Sequence, residues 1–229
     1  MRHALILAAG LGERMRPLTT HTPKPLLEVN GKPLIVHHIE KLAAADVRYI
    51  VVNTSHLAEQ FPETLGDGSR WGVRLRYSYE GPAPLETGGG MLAALPLLGP
   101  EPFIVVSADI WSHIDYAALP REPEGVAHLV MVPNPDFHAA GDFALADGRL
   151  HEGDGPAGAE RLTFGNVGVY RREIVAQETP GRFKLLPMYR RAIAEGRLTG
   201  ERFEGFWRNV GTPAQLDELR RSSDVKDPL

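Results

Sequence analysis

Cysteine is absent from this sequence of 229 residues, which also has no long apolar run and little net charge. Without cysteine, neither a disulfide bond nor a zinc site with thiolate ligands can form. The apolar run that begins at Ala4 stops at Gly10, which is too short for a signal peptide or a membrane span. The formal net charge of −4 creates no overall field that attracts nucleic acid or an anionic membrane. We therefore expect a cytoplasmic protein that binds neither nucleic acid nor membranes.

Short apolar segments alternate with helix-like segments through the first half of the chain. Such alternation is typical of a parallel α/β sheet with helices on both faces. After Asp109, Gly, Pro, Asn and Asp separate the predicted strands, which favours a mixed or antiparallel portion. No repeat or long linker divides the sequence, so we predict one domain over residues 1–229, with a frayed end at residues 222–229. The pattern predicts strands at residues 4–9, 49–53, 73–79, 103–107, 126–132, 144–150 and 162–170, and helices at residues 33–46, 56–65, 88–98, 184–195 and 213–221.

A glycine-rich loop follows the first predicted strand directly. Gly10 and Gly12 allow the backbone to turn sharply and approach a ligand, whose phosphate oxygens the backbone N–H groups can bind. A P-loop would need Lys-Ser or Lys-Thr after Gly12, and a dinucleotide motif would need a small residue where Met15 stands. Arg14 adds a forked cation that suits phosphate. By itself, the pattern is equally compatible with a tight turn that binds nothing.

Lys24 stands between Pro23 and Pro25, and each proline restricts the backbone beside it. A lysine held in this way is suited to meet charge that develops on a phosphoryl group. The alternative is a surface lysine in a proline turn.

Several motifs together resemble those of the sugar-1-phosphate nucleotidyltransferases. The resemblance implies a three-layer α/β/α sandwich with a mostly parallel, Rossmann-like mixed sheet. It also implies an enzyme that couples a nucleoside triphosphate to a sugar 1-phosphate with Mg²⁺ and releases pyrophosphate. Residues 1–110 would form the nucleotide-binding half and residues 111–229 the sugar-binding half. The segments that carry the resemblance are residues 7–14, 16–19, 23–29, 31–35, 84–90, 107–109 and 207–213.

The resemblance assigns most of the predicted nucleotide site to the glycine loop and its surroundings. Arg14 and Lys24 match cations that bind the triphosphate, and with Asp109 they form the predicted catalytic set. Glu80 could accept an N–H group of the base, such as uracil N3–H, or it could be a solvated loop carboxylate. The complete nucleotide-binding set is Ala9, Gly10, Gly12, Arg14, Lys24, Glu80 and Gly88.

Asp109 and Asn209 are the predicted Mg²⁺ ligands. A carboxylate at the carboxyl end of a strand is a hard oxygen ligand of the kind that Mg²⁺ prefers. The alternative for Asp109 is a helix N-cap before residues 112–119. Asn209 departs from the family, which usually has aspartate there, and an amide oxygen brings no charge. We therefore expect weaker metal binding than in relatives.

The sugar-binding candidates lie in the second half of the chain, and the resemblance assigns them. Asn166 could bind an N-acetyl group or hydroxyls, and Lys184 could meet a phosphate or a carboxylate. Each candidate could also be an ordinary surface residue. The set is Asp142, Glu152, Asn166 and Lys184.

Within the family, residues 85–90, 141–143 and 183–185 most resemble the N-acetylmuramate 1-phosphate uridylyltransferases of cell-wall recycling, which use UTP. One alternative is a mannose- or glucose-1-phosphate nucleotidyltransferase that uses GTP, UTP or dTTP. Another is a non-catalytic subunit that binds a sugar nucleotide. The sequence does not indicate the oligomeric state.

Overall fold

A computed structural model of the protein describes residues 2–223. The predicted fraying of residues 222–229 therefore lies, from residue 224 onward, outside the described residues. The strands are β1 (His3–Leu7), β2 (Glu28–Val29), β3 (Lys32–Pro33), β4 (Tyr49–Thr54), β5 (Arg74–Tyr79), β6 (Phe103–Ser107), β7 (Ile110–Ser112), β8 (Ala127–Val132), β9 (Phe143–Ala146), β10 (Arg149–His151), β11 (Glu160–Tyr170), β12 (Leu198–Arg202) and β13 (Trp207–Asn209). The helices are α1 (Leu34–Ala44), α2 (Gln60–Leu65), α3 (Glu86–Ala94), α4 (Leu186–Ala194) and α5 (Pro213–Arg221).

A nine-stranded mixed sheet in the order β5-β4-β1-β6-β11-β8-β12-β10-β9 forms the middle layer. The strands from β5 to β6 are parallel, whereas β11 runs antiparallel to both of its main neighbours, β6 and β8. This arrangement confirms the predicted α/β fold with a mixed sheet. The change from parallel to antiparallel pairing falls between β6 and β11, next to the carboxyl end of β6.

Helices cover both faces of the sheet because its central strands are apolar on both sides. In β1, Ala4 and Ile6 belong to one buried cluster with residues of α1 and α2. Leu5 lies on the opposite face, in a second cluster with residues of α3 and α4. Strands that are buried on both faces read as continuous apolar runs, as the sequence of β1 does.

The register of the parallel strands brings three strand ends together. Leu7 at the end of β1 lies opposite Asn53 of β4 on one side and opposite Ser107 of β6 on the other. Ligands of open α/β sheets bind outside the carboxyl ends of the strands. The sheet therefore places the loops that follow β1, β4 and β6 around one cleft.

Two short antiparallel strand pairs lie outside the main sheet. Strand β13 pairs antiparallel with β7, and this pairing sets Asn209 opposite Ile110. Strands β2 and β3 pair with each other. A third apolar cluster, which includes Trp111 and Val210, holds both pairs against Leu216 and Leu219 of α5.

The structure corrects two predictions from the sequence. The single strand predicted at residues 144–150 is a hairpin of β9 and β10, because Asp147 and Gly148 adopt φ values of 48° and 73°. An Asp-Gly pair with positive φ favours a two-residue hairpin turn. Strand β12 is not predicted from the sequence, because it ends in the exposed residues Glu201 and Arg202.

None of the helices within residues 2–223 has both the length and the apolar character that crossing a membrane requires.

Candidate active site

A cleft of about 590 Å³ opens at the carboxyl ends of β1, β4 and β6. The loop that follows β1, residues 8–15, forms one wall, and residues of the segment 80–87 form another. Lys24 and Asp109 line the cleft between them. We call this space the main cleft.

Gly12 shapes the loop by a conformation that suits glycine. Its φ of 62° lies in the left-handed region, and the Thr19 hydroxyl donates to its carbonyl oxygen over 2.7 Å. A Cβ atom at this position would lie 3.0 Å from Thr19 Cγ2 and 3.3 Å from Lys24 Cβ. A Cβ at Gly10, in contrast, would meet no protein atom within 4 Å. Packing within the protein therefore explains Gly12 but not Gly10.

Lys24 forms an ion pair with Asp109 at the base of the main cleft. Lys24 begins a short 3₁₀ turn, Lys24–Leu26, after Pro23 and is only 8% exposed. Its Nζ atom donates to Asp109 Oδ2 over 2.7 Å, and this oxygen lies on a side chain that is 34% exposed. The ammonium is thus withdrawn from bulk water, and its charge acts on whatever lies above it in the cleft.

Arg14 lies in the glycine-rich loop, residues 8–15, that forms one wall of the main cleft. Its guanidinium is beside Gly211, since a Cβ at Gly211 would lie 3.3 Å from Arg14 Nη2. Within residues 2–223, this guanidinium has no ion pair or hydrogen bond to a side chain. All its donors can therefore serve an anion in the cleft.

Asn53 links the glycine loop to the opposite wall, and it is not among the site residues predicted from the sequence. Its Oδ1 accepts the N–H of Ala8 over 2.6 Å, and its Nδ2 donates to Glu80 Oε1 over 2.6 Å. Glu80 Oε2 accepts the N–H of Leu85 over 2.7 Å. Burial raises the pKa of Glu80, and these two hydrogen bonds oppose that rise. Asn53 could have been predicted as a site residue, because it is a polar residue at the expected carboxyl end of the strand at residues 49–53.

Glu80 is therefore not the solvated loop carboxylate that was one of its two predicted roles. Each of its oxygens already accepts a hydrogen bond that fixes the wall of the cleft. It still lines the main cleft, so its predicted contact with the base stays a prediction.

Gly88 is placed differently from its prediction, because it is buried and does not line the main cleft. A Cβ at Gly88 would lie 2.5 Å from the ring of Phe183. The N–H groups of Gly88 and Gly89 donate to the carbonyl of Phe183 over 2.9 and 3.0 Å. Packing of Phe183 against α3, rather than approach to a base, explains this glycine.

A second cleft of about 370 Å³ adjoins the first and shares Leu7, Thr87 and Ser107 with it. Of the predicted sugar-binding residues, it contains Asp142, Asn166 and Lys184. Asp142 is fixed by His138, whose Nε2 lies 3.0 Å from Oδ1, and by the N–H of Phe164, which donates to Oδ2 over 2.8 Å. We call this space the side cleft.

Glu152 does not lie in either cleft. It is exposed after β10, and its Oε1 pairs with Nε of Arg190 over 3.1 Å. Its predicted place in the sugar site is therefore not supported by the structure.

His38 of α1 anchors the strand that follows Asp109. The carbonyl of Ile110 lies 2.9 Å from Nε2, and the hydroxyl of Tyr116 lies 2.9 Å from Nδ1. Because a carbonyl can only accept, Nε2 carries the proton and Nδ1 accepts from Tyr116. Burial, reinforced by the charge of Lys41, lowers the pKa of His38 to about 3, so the ring is neutral. Lys41 Nζ also donates to the Ser112 carbonyl over 2.8 Å, which holds β7 at both ends.

Comparison with known proteins decides the family. The profile of the nucleotidyl transferase family matches residues 3–132, which is more than half of the chain. The chain belongs to the nucleotidyl transferase family. An N-acetylmuramate alpha-1-phosphate uridylyltransferase of Neisseria meningitidis is 44% identical over 223 residues, which cover 95% of this chain and 96% of that protein. A protein of the same name from Caulobacter vibrioides is 40% identical, with 92% of each chain covered.

A solved structure agrees with the fold. The inositol-1-phosphate CTP transferase from T. maritima superposes with a TM-score of 0.77 over 100% of this chain and 98% of that one, at 19% sequence identity. With the two closely similar relatives, the family match shows that this chain is a sugar-1-phosphate nucleotidyltransferase.

Asn209 has the properties of a metal ligand in this nucleotidyltransferase. Its Oδ1 is buried and has no hydrogen-bond partner within the described residues. The N–H of Val210 donates to the Asp109 carbonyl over 2.8 Å, so the backbones at the two predicted ligands are held together, with Asp109 lining the main cleft and Asn209 the adjoining side cleft. No group of three or more His, Asp or Glu that could hold a metal occurs within residues 2–223. Asp109 and Asn209 fit Mg²⁺, which is commonly bound by one or two protein side chains together with substrate phosphates.

The alternative role of Asp109 as a helix N-cap is wrong. Residues 110–112 form strand β7, and no helix occurs at residues 112–119. The backbone that follows Asp109 is instead paired, as strand β7, with strand β13.

Proposed function

We propose that this nucleotidyltransferase transfers the uridylyl group of UTP to N-acetylmuramate 1-phosphate and releases pyrophosphate, with Mg²⁺ as its cofactor. The observation that carries the choice of substrates is 44% identity over 95% of the chain to a protein named for this activity. The site supports it, because a main cleft lined by Arg14, Lys24 and Arg182 adjoins a side cleft with polar groups. By the same reasoning we infer a role in the recycling of cell-wall sugars in the cytoplasm.

The chemical step is a displacement at the α-phosphorus of UTP. A phosphate oxygen of the sugar 1-phosphate attacks in line, a new P–O bond forms, and the bond to the β-phosphate breaks. Pyrophosphate leaves with the electron pair of that bond. The nucleophile is already an anion, so little proton transfer is needed, and catalysis consists of positioning and charge neutralisation.

Lys24 and Arg14 are the groups of this chain that we assign to neutralisation. The withdrawn ammonium of Lys24 stabilises charge that develops on the α-phosphoryl group, and the Arg14 fork binds the departing phosphates. The backbone N–H groups of Gly10 and Gly12 bind other phosphate oxygens, with Ala9 beside them. Mg²⁺ held by Asp109 and Asn209 would supply further positive charge beside the reacting phosphates.

The sugar side of the reaction is assigned to the side cleft. Asn166, Asp142 and Lys184 are the proposed contacts for the N-acetyl, hydroxyl and anionic groups of the sugar. The division into a nucleotide-binding half at residues 1–110 and a sugar-binding half at residues 111–229 fits these assignments and is part of the proposal.

Pyrophosphate release from the purified protein tests the proposal. UTP, CTP, GTP, ATP and dTTP would each be combined with N-acetylmuramate, N-acetylglucosamine, mannose and glucose 1-phosphates in the presence of Mg²⁺. We expect the highest kcat/KM for UTP with N-acetylmuramate 1-phosphate. A higher value for a mannose or glucose 1-phosphate would establish the alternative enzyme. Release with no pair, from protein that binds nucleotides, would establish a non-catalytic subunit.

A further inference from the structure

Two charged residues form an ion pair at the wall of the main cleft, and none of the proposed contacts uses them. Arg182 Nη2 lies 2.7 Å from Glu86 Oε1, and both residues line the cleft. Arg182 stands 96 positions after Glu86 in the sequence, so only the fold brings them together.

Hydrogen bonds to α3 fix the backbone beside Arg182. The N–H of Phe183 donates to the Leu85 carbonyl over 3.1 Å, and the Phe183 carbonyl accepts from Gly88 and Gly89. The N–H of Leu185 donates to Thr87 Oγ1 over 3.0 Å. We call residues 181–185 the strap. It holds Arg182 at the start of α3, directly beside Glu86.

Glu86 occupies a backbone conformation that disfavours it. Its φ is 64°, in the left-handed region, where a residue with a Cβ is strained and a glycine is not. Three glycines follow at residues 88–90, yet residue 86 carries a long charged side chain. A carboxylate kept at a strained position on the wall of a cleft indicates a role for that carboxylate.

The pair retains hydrogen-bonding groups that no other described residue uses. Within residues 2–223, Glu86 Oε2 has no hydrogen-bond partner, and Arg182 uses only Nη2. An acceptor and several donors therefore remain side by side in the cleft. Glu80, the acceptor proposed from the sequence, already accepts from Asn53 and Leu85.

The geometry points to the Glu86–Arg182 pair as the element that recognises the nucleobase by its adjacent carbonyl and N–H groups. Arg182 donates to uracil O4, and Glu86 accepts uracil N3–H. This assignment rests on the proposed function, because it takes UTP as the nucleotide. The opposite wall carries Arg14 and the base of the cleft carries Lys24, and both suit the triphosphate.

The same arrangement disfavours cytosine. Cytosine presents an amino donor and a ring nitrogen acceptor where uracil presents an acceptor and a donor. The amino group would then face the Arg182 guanidinium, and the ring nitrogen would face the Glu86 carboxylate. Both contacts are repulsive, and a site built for one hydrogen-bonding pattern rejects the inverse pattern strongly.

The test compares the binding of UTP and CTP, measured by calorimetry with Mg²⁺ and no sugar phosphate, and then kcat/KM. In wild-type protein we expect UTP to bind at least about tenfold more tightly than CTP. Arg182→Met should weaken UTP binding by about ten- to hundredfold and change CTP binding much less. Glu86→Gly should do the same while raising or preserving the melting temperature, because it relieves the strained φ. The KM for the sugar 1-phosphate should not change.

Arg191→Met is the matched control, because Arg191 forms an equally short ion pair of 2.7 Å with Glu178 and lines neither cleft. It should leave the UTP:CTP ratio unchanged. Equal losses for UTP and CTP in Arg182→Met and Glu86→Gly would overturn the inference, since the pair would then contact the triphosphate or only support the fold. Equal binding of UTP and CTP by the wild type would overturn it too. If no pyrophosphate is released but the binding ratios behave as expected, the proposed function fails and base recognition stands.

Discussion

Substitution of Asn209 by aspartate adds one negative charge where the side-chain oxygen is buried and has no partner in the described residues. The side chains have nearly the same shape, so the change tests charge rather than packing. The proposed site would then hold Mg²⁺ with two carboxylates instead of one carboxylate and one amide. We expect tighter metal binding.

The size of the effect follows from the charges involved. At an effective dielectric constant of about 20, two unit charges about 4 Å apart interact by about 4 kcal/mol. A carboxylate beside a divalent ion therefore gains up to roughly 8 kcal/mol over a neutral amide, whereas repulsion by Asp109 acts with and without the metal and does not change the affinity. In the metal-free protein the new carboxylate would instead be hydrated or share Lys24 with Asp109, and the loss of those contacts on metal binding offsets several kcal/mol of this gain. A net gain of about 1–3 kcal/mol lowers the Mg²⁺ concentration for half-maximal rate by about ten- to hundredfold.

The assay is a Mg²⁺ titration of pyrophosphate release at saturating substrates, together with a titration of the melting temperature by Mg²⁺ alone. Without Mg²⁺, Asn209→Asp should melt below the wild type, because two carboxylates then share one lysine. Asn30→Asp is the matched control, since it makes the same chemical change in the exposed turn between β2 and β3, outside both clefts. An unchanged Mg²⁺ requirement in a folded Asn209→Asp protein would show that Asn209 is not a ligand.

Four further substitutions test separate parts of the structure. Lys24→Met should lower kcat by about 10²- to 10³-fold, because it removes a cation placed at the reacting phosphate. Gly88→Ala should destabilise the fold by about 1–3 kcal/mol, because its Cβ overlaps the Phe183 ring, whereas Gly10→Ala should keep the wild-type stability and weaken UTP binding. His38→Gln should flatten the acid side of the stability profile. The folded protein keeps His38 neutral down to pH about 3, and the unfolded chain protonates it below about 6.5, so wild-type stability should fall by about 1 kcal/mol from pH 7 to 5.5.

Each of these outcomes has its own measurement. Single-turnover kinetics tests Lys24→Met once its melting temperature is shown to match that of the wild type. Near-normal turnover would remove this lysine from the mechanism. Urea unfolding compares the free energies of unfolding of Gly88→Ala and Gly10→Ala, and equal values would contradict the close packing at Gly88. Unfolding at pH 7 and 5.5 tests His38→Gln against His21→Gln, an exposed control. A steep acid loss that persists in His38→Gln would assign the effect to other groups.

The sequence predicted well those features that are encoded locally. The apolar run before Gly10 identifies β1, and the rule that ligands bind at strand ends places the glycine loop and Asp109 at one cleft. Lys24 is fixed by its two neighbouring prolines and does lie in that cleft. These residues reach the site because the chain enters it directly from a buried strand.

Features that depend on contacts between distant parts of the chain were not predicted from the sequence. Gly88 was assigned to the base, although its missing side chain makes room for Phe183, a residue of the strap. Glu152 was assigned to the sugar, although it extends to Arg190 on the surface. The pair of Arg182 and Glu86 has no local pattern at all, since only the packing of the strap on α3 brings the two residues together.

The ion pair of Lys24 with Asp109 has a consequence for how the metal arrives. Before any substrate binds, the lysine cancels the charge of Asp109, and the amide of Asn209 adds none. Without a nucleotide, the cleft thus offers a bare cation little attraction. We expect the ion to enter already coordinated by the triphosphate, and Asp109 and Asn209 then set how tightly the magnesium–nucleotide complex is held.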